Sequence, residues 1–139
     1  MREYRLISIC CLAVFAWGCQ QPGSLDQGGG RFEKIKTAAE MKSRMDADDN
    51  LMVIHALDAD HYSEGHIPGA VNIDYEKMTP DMLPENKDQP LVFYCVSRWC
   101  PVSKSAAGKA ASWGYKNVWA YTGGIKDWKK AGMKVATGN

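Results

Sequence analysis

Leu91-Val-Phe-Tyr-Cys95-Val-Ser-Arg-Trp-Cys100-Pro-Val-Ser103 runs from a continuous apolar segment into a cysteine, a short loop and a proline. Four apolar residues in a row, bounded by a break, predict a strand buried on both faces. Pro101 suits the first helical position, where its missing N–H is not needed. The helix it opens continues through Ala106, Ala107, Ala110 and Ala111 to about Trp113, and Gly114 is a stop. Small Ala side chains let such a helix pack close to a sheet. The stretch thus predicts strand, loop and helix, with Cys95 just beyond the strand's carboxyl end. In open parallel sheets that is where ligands bind.

The flanking sequence repeats the alternation. Folded structure is expected from near Phe32. Thr37 with Glu40 forms a capping-box signature before helix formers that run to Met45. Leu51–Ile54 and Ala70–Ile73 read as short strands on either side of the Gly65-His-Ile-Pro-Gly69 turn. Pro80, Pro84 and Pro90 limit residues 74–90 to loops and at most a short helix. Asn117–Tyr121 reads as another strand, Gly123-Gly124 as a turn, and Ile125–Ala131 as a last helix stopped by Gly132. Strands alternating with helices predict an α/β fold with a mainly parallel sheet covered on both faces.

The first residues read as an address. Met1-Arg-Glu-Tyr-Arg5 is followed by an apolar run from Leu6 to Trp17 and then Gly18-Cys19-Gln20. A short basic region, a short apolar stretch and a small residue before a cleavage point make residues 1–19 a secretory signal. Cys19 after Gly18 resembles a bacterial lipobox, in which the Cys is lipidated, although Ala16 and Trp17 depart from the usual residues. An ordinary signal peptide or an uncleaved anchor are the other readings. Lipidation would tether the domain to the cell envelope facing the periplasm, and Gln20 after the Cys points by analogy to the outer membrane. Residues 20–30, rich in Gly and Gln, are a flexible tether, leaving 31–139 as the folded domain.

Removing Arg2, Arg5 and Glu3 from 17 basic and 16 acidic residues leaves 15 of each. A balanced chain has no electrostatic footprint for nucleic acid. The three His stand apart in sequence, and nothing points to a metal, nucleotide or flavin cofactor. With Cys10, Cys11 and Cys19 assigned to the leader, Cys95 and Cys100 are the two thiols of the domain.

At Cys95, loop N–H groups and the helix N-terminus are expected to favour a thiolate, lower the thiol pKa and supply a nucleophile. The same cradle would hold a persulfide or a donor's oxyanion. A buried inert Cys fits the strand–loop–helix context equally well.

Three blocks then point to a family. Tyr62-Ser-Glu-Gly-His66-Ile-Pro-Gly-Ala70-Val-Asn-Ile73, Val92-Phe-Tyr-Cys95, and Gly114-Tyr-Lys-Asn-Val118 with Tyr121-Thr-Gly-Gly-Ile125-Lys-Asp-Trp128 resemble the signatures of rhodanese-like sulfurtransferases, in the same order. The resemblance implies a three-layer α/β sandwich with about five strands. It also implies that Cys95 carries a persulfide from a thiosulfate- or polysulfide-like donor to a thiol or cyanide-like acceptor. His66 would be a structural turn residue.

Departures from the family pattern carry information too. An Asp-x-Arg usual in the family is replaced by His55 and Leu57. His55 is expected at the carboxyl edge of its strand, either as a base or thiolate partner facing the Cys95 loop or as a hydrogen-bonded wall residue. The loop Cys95-Val96-Ser97-Arg98-Trp99-Cys100-Pro101-Val102-Ser103 is longer than usual and resembles an exported subgroup with Cys-x4-Cys. Val96, Ser97, Arg98, Trp99 and Ser103 are the expected substrate-binding residues, with Arg98 set for an anionic donor and Trp99 for a substrate wall or partner anchor. Phosphatase relatives of this fold need an Arg at the position of Pro101, which disfavours that chemistry. Cys100 is either a resolving thiol for a Cys95 persulfide, which would need a redox partner protein, or a passive one. A catalytically silent binding module is the third reading.

Overall fold

The structure, a computed structural model, describes residues 31–138. The leader, Cys19 and the tether lie outside them. The elements are β1 (Glu33–Ile35), α1 (Ala38–Ala47), β2 (Met52–His55), α2 (Ala59–Glu64), β3 (Val71–Asn72), β4 (Leu91–Tyr94), α3 (Val102–Ser112), β5 (Val118–Tyr121) and α4 (Gly124–Lys130). Single 3-10 turns at Tyr75–Lys77 and Pro80–Met82 occupy the proline-rich stretch.

The five strands form one sheet in the order β1-β5-β4-β2-β3, and every pairing is parallel. The mainly parallel, five-stranded α/β expectation is therefore met. Two elements were not anticipated. β1 is three residues long with only Ile35 buried, so it has no apolar run to read. α2 is six residues long and buries none of them; its signal is Asp58, whose carboxylate accepts the His61 N–H at 3.0 Å. Pro101 is the residue before α3 rather than its first residue.

Side-chain alternation along the strands splits the core into two layers. Ile54, Phe93 and Ala120 face α3, whose Ala106, Ala107 and Ala110 are fully buried. Val53, Val92, Tyr94 and Tyr121 face the other way, with Ile35, Met41, Ile125 and Trp128. α1 starts as expected: Thr37 Oγ1 accepts the Glu40 N–H at 3.2 Å, and Glu40 accepts the Lys36 N–H at 3.1 Å. Asp127 of α4 reaches across to accept the Ala38 N–H and the Tyr121 hydroxyl, both at 2.8 Å. No helix among the described residues is long and apolar enough to cross a membrane.

The contact that positions the Cys95 loop comes from the start of α4. The Ile125 N–H donates to the Cys95 carbonyl at 2.9 Å, and the Lys126 N–H to the Val96 carbonyl at 3.0 Å. Gly124 makes this approach possible. A Cβ there would stand 2.6 Å from the Cys95 carbonyl oxygen and 2.7 Å from the Ser97 nitrogen, and its φ is +67°. Only glycine tolerates both conditions. We therefore expect Gly124→Ala to destabilise the fold by more than the roughly 1–3 kcal/mol typical of a left-handed residue alone. Gly132→Ala has a similar φ of +72° but nothing within 4 Å of the added Cβ, and serves as the strain-only reference. Urea unfolding of the two variants measures the difference.

Candidate active site

Cys95 follows directly on β4, on the side of the sheet that faces α3. Its side chain is fully buried, and the thiol is free. The Sγ–H points at backbone oxygen: the Cys100 carbonyl lies at 3.4 Å and the Ser97 carbonyl at 3.9 Å. Two donors expected to face the sulfur are not available to it. The Cys100 N–H is used within the loop, donating to the Ser97 carbonyl at 3.0 Å, and Pro101 has no N–H at all. Burial accordingly pushes the Cys95 thiol up to about 11, and the neighbouring Cys100 side chain adds to the rise. The Ser103 backbone N–H and hydroxyl pull the other way. The expected low-pKa thiolate is thus corrected for the resting protein, because desolvation outweighs the donors that remain.

Ser103 is the expected loop residue most closely joined to Cys95. Its side chain is buried in the first turn of α3, and Oγ lacks a hydrogen-bond partner of normal geometry among the described residues. A buried hydroxyl held beside a thiol in this way is a donor for that sulfur or for a group bound to it. Cys100 is half-buried, free, and near enough to raise the Cys95 thiol. Val96 and Ser97 are also half-buried, whereas Arg98 and Trp99 are exposed, Trp99 by 86%. Ser97, Arg98 and Trp99 form one wall of an open pocket of about 260 Å³, and Gly123, Lys126, Asp127 and Lys130 form the other. Lys126 and Lys130 are cations that the sequence reading did not assign. The Tyr121-Thr-Gly-Gly motif was the available signal, since it brings the start of α4 to the loop.

His55 lies elsewhere. It shares a face with Val53 and Tyr94, opposite to Cys95, and packs edge-on against the Tyr94 ring at 5.1 Å and the Tyr62 ring at 5.7 Å. It is therefore not placed against the thiol. Its ring nitrogens have no partner of normal geometry among the described residues, and the Leu57 backbone is the hydrogen-bonding group beside them. Burial, helped by His61 and His66, lowers its pKa to about 4, against a weak opposing effect of the Leu57 backbone. The three His, separate in sequence, lie near one another, and two of them meet on Tyr62: His55 packs edge-on to its ring, and His66 stacks on it at 3.7 Å and bonds its carbonyl at 2.9 Å. His66 also exchanges two backbone hydrogen bonds with Ala136, which gives it the structural turn role. Among the described residues no group of three His, Cys, Asp or Glu side chains could hold a metal ion.

Comparison with known proteins agrees with this architecture. The family described as "Rhodanese-like domain" matches residues 37–131. An HTH-type transcriptional regulator of Mycobacterium tuberculosis is 28% identical over 109 residues, which cover 78% of this chain and 47% of that protein. The chain therefore spans about half the length of that relative. The thiosulfate sulfurtransferase GlpE of Coxiella burnetii is 28% identical over 80 residues, covering 58% of this chain and 73% of GlpE. Among solved structures, the BH2092 protein of Bacillus halodurans superposes with a TM-score of 0.68 at 27% identity, over 76% of this chain and 77% of that one.

Two pH responses follow. Thiolate forms at Cys95 only as pH approaches about 11, so its alkylation by iodoacetamide should rise about tenfold per pH unit from 7 to 10. Cys100→Ala removes a neighbour that holds the proton on and should shift the profile to lower pH, as read by intact mass. The second response concerns His55. It stays neutral in the fold down to about pH 4, whereas in the unfolded chain it binds a proton below 6.5. Unfolding then takes up a proton between those values, so stability falls with falling pH, by up to about 3 kcal/mol. His55→Phe should flatten that slope in urea unfolding midpoints measured at pH 7 and pH 4.5.

Proposed function

The chain belongs to the rhodanese-like domain family, and from that membership we propose that it is a sulfurtransferase carrying sulfane sulfur as a persulfide on Cys95. The observation that carries this reading is the placement of Cys95. It is a buried, free thiol between β4 and α3, with the Ser103 N–H and an otherwise unpartnered hydroxyl beside its sulfur. The similarity to a thiosulfate sulfurtransferase supports the reaction class.

In this reading Cys95 loses its proton to solvent, and the thiolate attacks the outer sulfur of a thiosulfate- or polysulfide-like donor. The donor's S–S bond breaks as the Cys95–S bond forms, and sulfite or a shortened polysulfide leaves with the electron pair. A thiolate or cyanide-like acceptor then attacks the outer sulfur of the persulfide. That second S–S cleavage returns the Cys95 thiolate, so the cycle needs no external oxidant, reductant or cofactor. Ser103 stabilises the bound sulfur. Arg98, with Lys126 and Lys130 across the pocket, draws in an anionic donor, and Trp99 forms its apolar wall. The leader residues favour work in the cell envelope, with the domain tethered through lipid on Cys19.

A second reading has one observation in its favour, the Cys100 thiol beside Cys95. Cys100 thiolate attacks the inner sulfur of the Cys95 persulfide, a Cys95–Cys100 disulfide forms, and hydrosulfide leaves. A partner dithiol must then reduce the disulfide.

Intact mass of the reduced protein after exposure to thiosulfate or polysulfide tests both readings. Transfer predicts one added sulfur in the wild type and in Cys100→Ser, and none in Cys95→Ser. Loss of two hydrogens in the wild type, with sulfur retained only in Cys100→Ser, would replace transfer by sulfide release. An unchanged mass with every donor would sink both and leave a binding module.

A further inference from the structure

His55 takes no part in the chemistry derived for Cys95, yet its surroundings differ from those of a packed wall residue. The ring is 1% exposed, and neither nitrogen has a hydrogen bond of normal geometry among the described residues, the Leu57 backbone beside it notwithstanding. A buried polar group in that condition is costly to keep, and its position needs a reason. Here the ring borders a pocket of about 170 Å³, roughly five times the volume one water takes in the liquid. His61, Glu64, Val96, Lys126 and Lys129 complete most of the lining.

Gly65 and Lys129 line the same pocket, and a Cβ at Gly65 would stand 3.0 Å from the Lys129 ammonium and 3.1 Å from Val135, so the missing side chain leaves the ammonium room there. Two lysines and one glutamate give the lining a net positive charge. An imidazole at the base offers one N–H donor and one lone pair to whatever enters. A metal cation fits poorly, because the lysines repel it and no third ligand converges. An anion able to make a hydrogen bond satisfies both the charge and the ring.

We propose that this pocket binds a small oxygen anion, a carboxylate or a sulfur oxyanion, with His55 as its hydrogen-bond partner and Lys126 and Lys129 as its counter-charges. The site lies on the sheet face opposite the Cys95 thiol. It meets the Cys95 loop only at Val96 and shares Lys126 with the pocket in front of that loop, and the thiol itself is not part of its lining.

The test uses the full chain carrying Cys95→Ser, so that no sulfur chemistry contributes, with labelled His and backbone amides followed by NMR. Acetate and sulfite are titrated separately against a chloride control of equal ionic strength. The proposal predicts saturable shifts of the His55 ring and Val96 amide signals with at least one of the two anions. Lys129→Met, a change at an exposed side chain, should weaken that binding tenfold or more. Response to acetate alone would identify a carboxylate site, and response to sulfite alone a sulfur oxyanion site. Shifts no larger than with chloride, or equal affinity in Lys129→Met, would overturn it. Because the nucleophile is absent, that failure would leave the sulfurtransferase reading untouched.

Discussion

Two backbone hydrogen bonds, from the Ile125 and Lys126 N–H groups to the carbonyls of Cys95 and Val96, hold together everything that the site requires. They turn the first loop carbonyls away from the sulfur and fix α4 against the end of β4. They also set Lys126 between the two pockets that flank the loop. The bonds exist only because Gly124 has no side chain and adopts a positive φ. Asp127 then ties the same helix to α1 and to Tyr121, so the first helix, the last helix and the Cys95 loop share one anchorage.

The resting state of the thiol follows from how this loop spends its donors. A loop of N–H groups would stabilise negative charge, but here one donor closes a turn onto Ser97 and the next residue is proline. Carbonyl oxygens face the Sγ–H instead. Such an arrangement protects a buried thiol from casual oxidation, since the reactive species is the thiolate. Formation of a persulfide would remove the proton that now points at Cys100. It would leave Ser103 as the closest donor to the added charge.

Much of the architecture was legible because the periodicities are strong. Leu91–Tyr94 and Leu51–Ile54 are short apolar runs, and the small Ala side chains after Pro101 suit close packing against them. β1 was not legible, because three residues with one buried side chain make no pattern. α2 was hidden behind the familiar turn that follows it, although Asp58 was a readable cap. Cys95, Cys100 and Ser103 could be placed from chain order, since all three belong to one loop and the turn of helix after it. His55 could be placed on the right strand end but not on the right face. That depends on whether Val53 or Ile54 looks towards α3, which an all-apolar strand does not reveal. The meeting of His55 and His66 on Tyr62 was likewise invisible, because it arises from the packing of α2 and the turn after it against β2.

The strand order has a consequence for how the molecule is made. β1 pairs with β5, so Glu33 finds its neighbour Trp119 only after most of the chain between them exists. The two donors that hold the Cys95 loop come later still, at Ile125 and Lys126. Contacts so distant in sequence close slowly, because the loop entropy must be met before they form. Cys95 is therefore threaded out well before its enclosure can be completed. During that interval its thiol is exposed to whatever redox chemistry surrounds the growing chain.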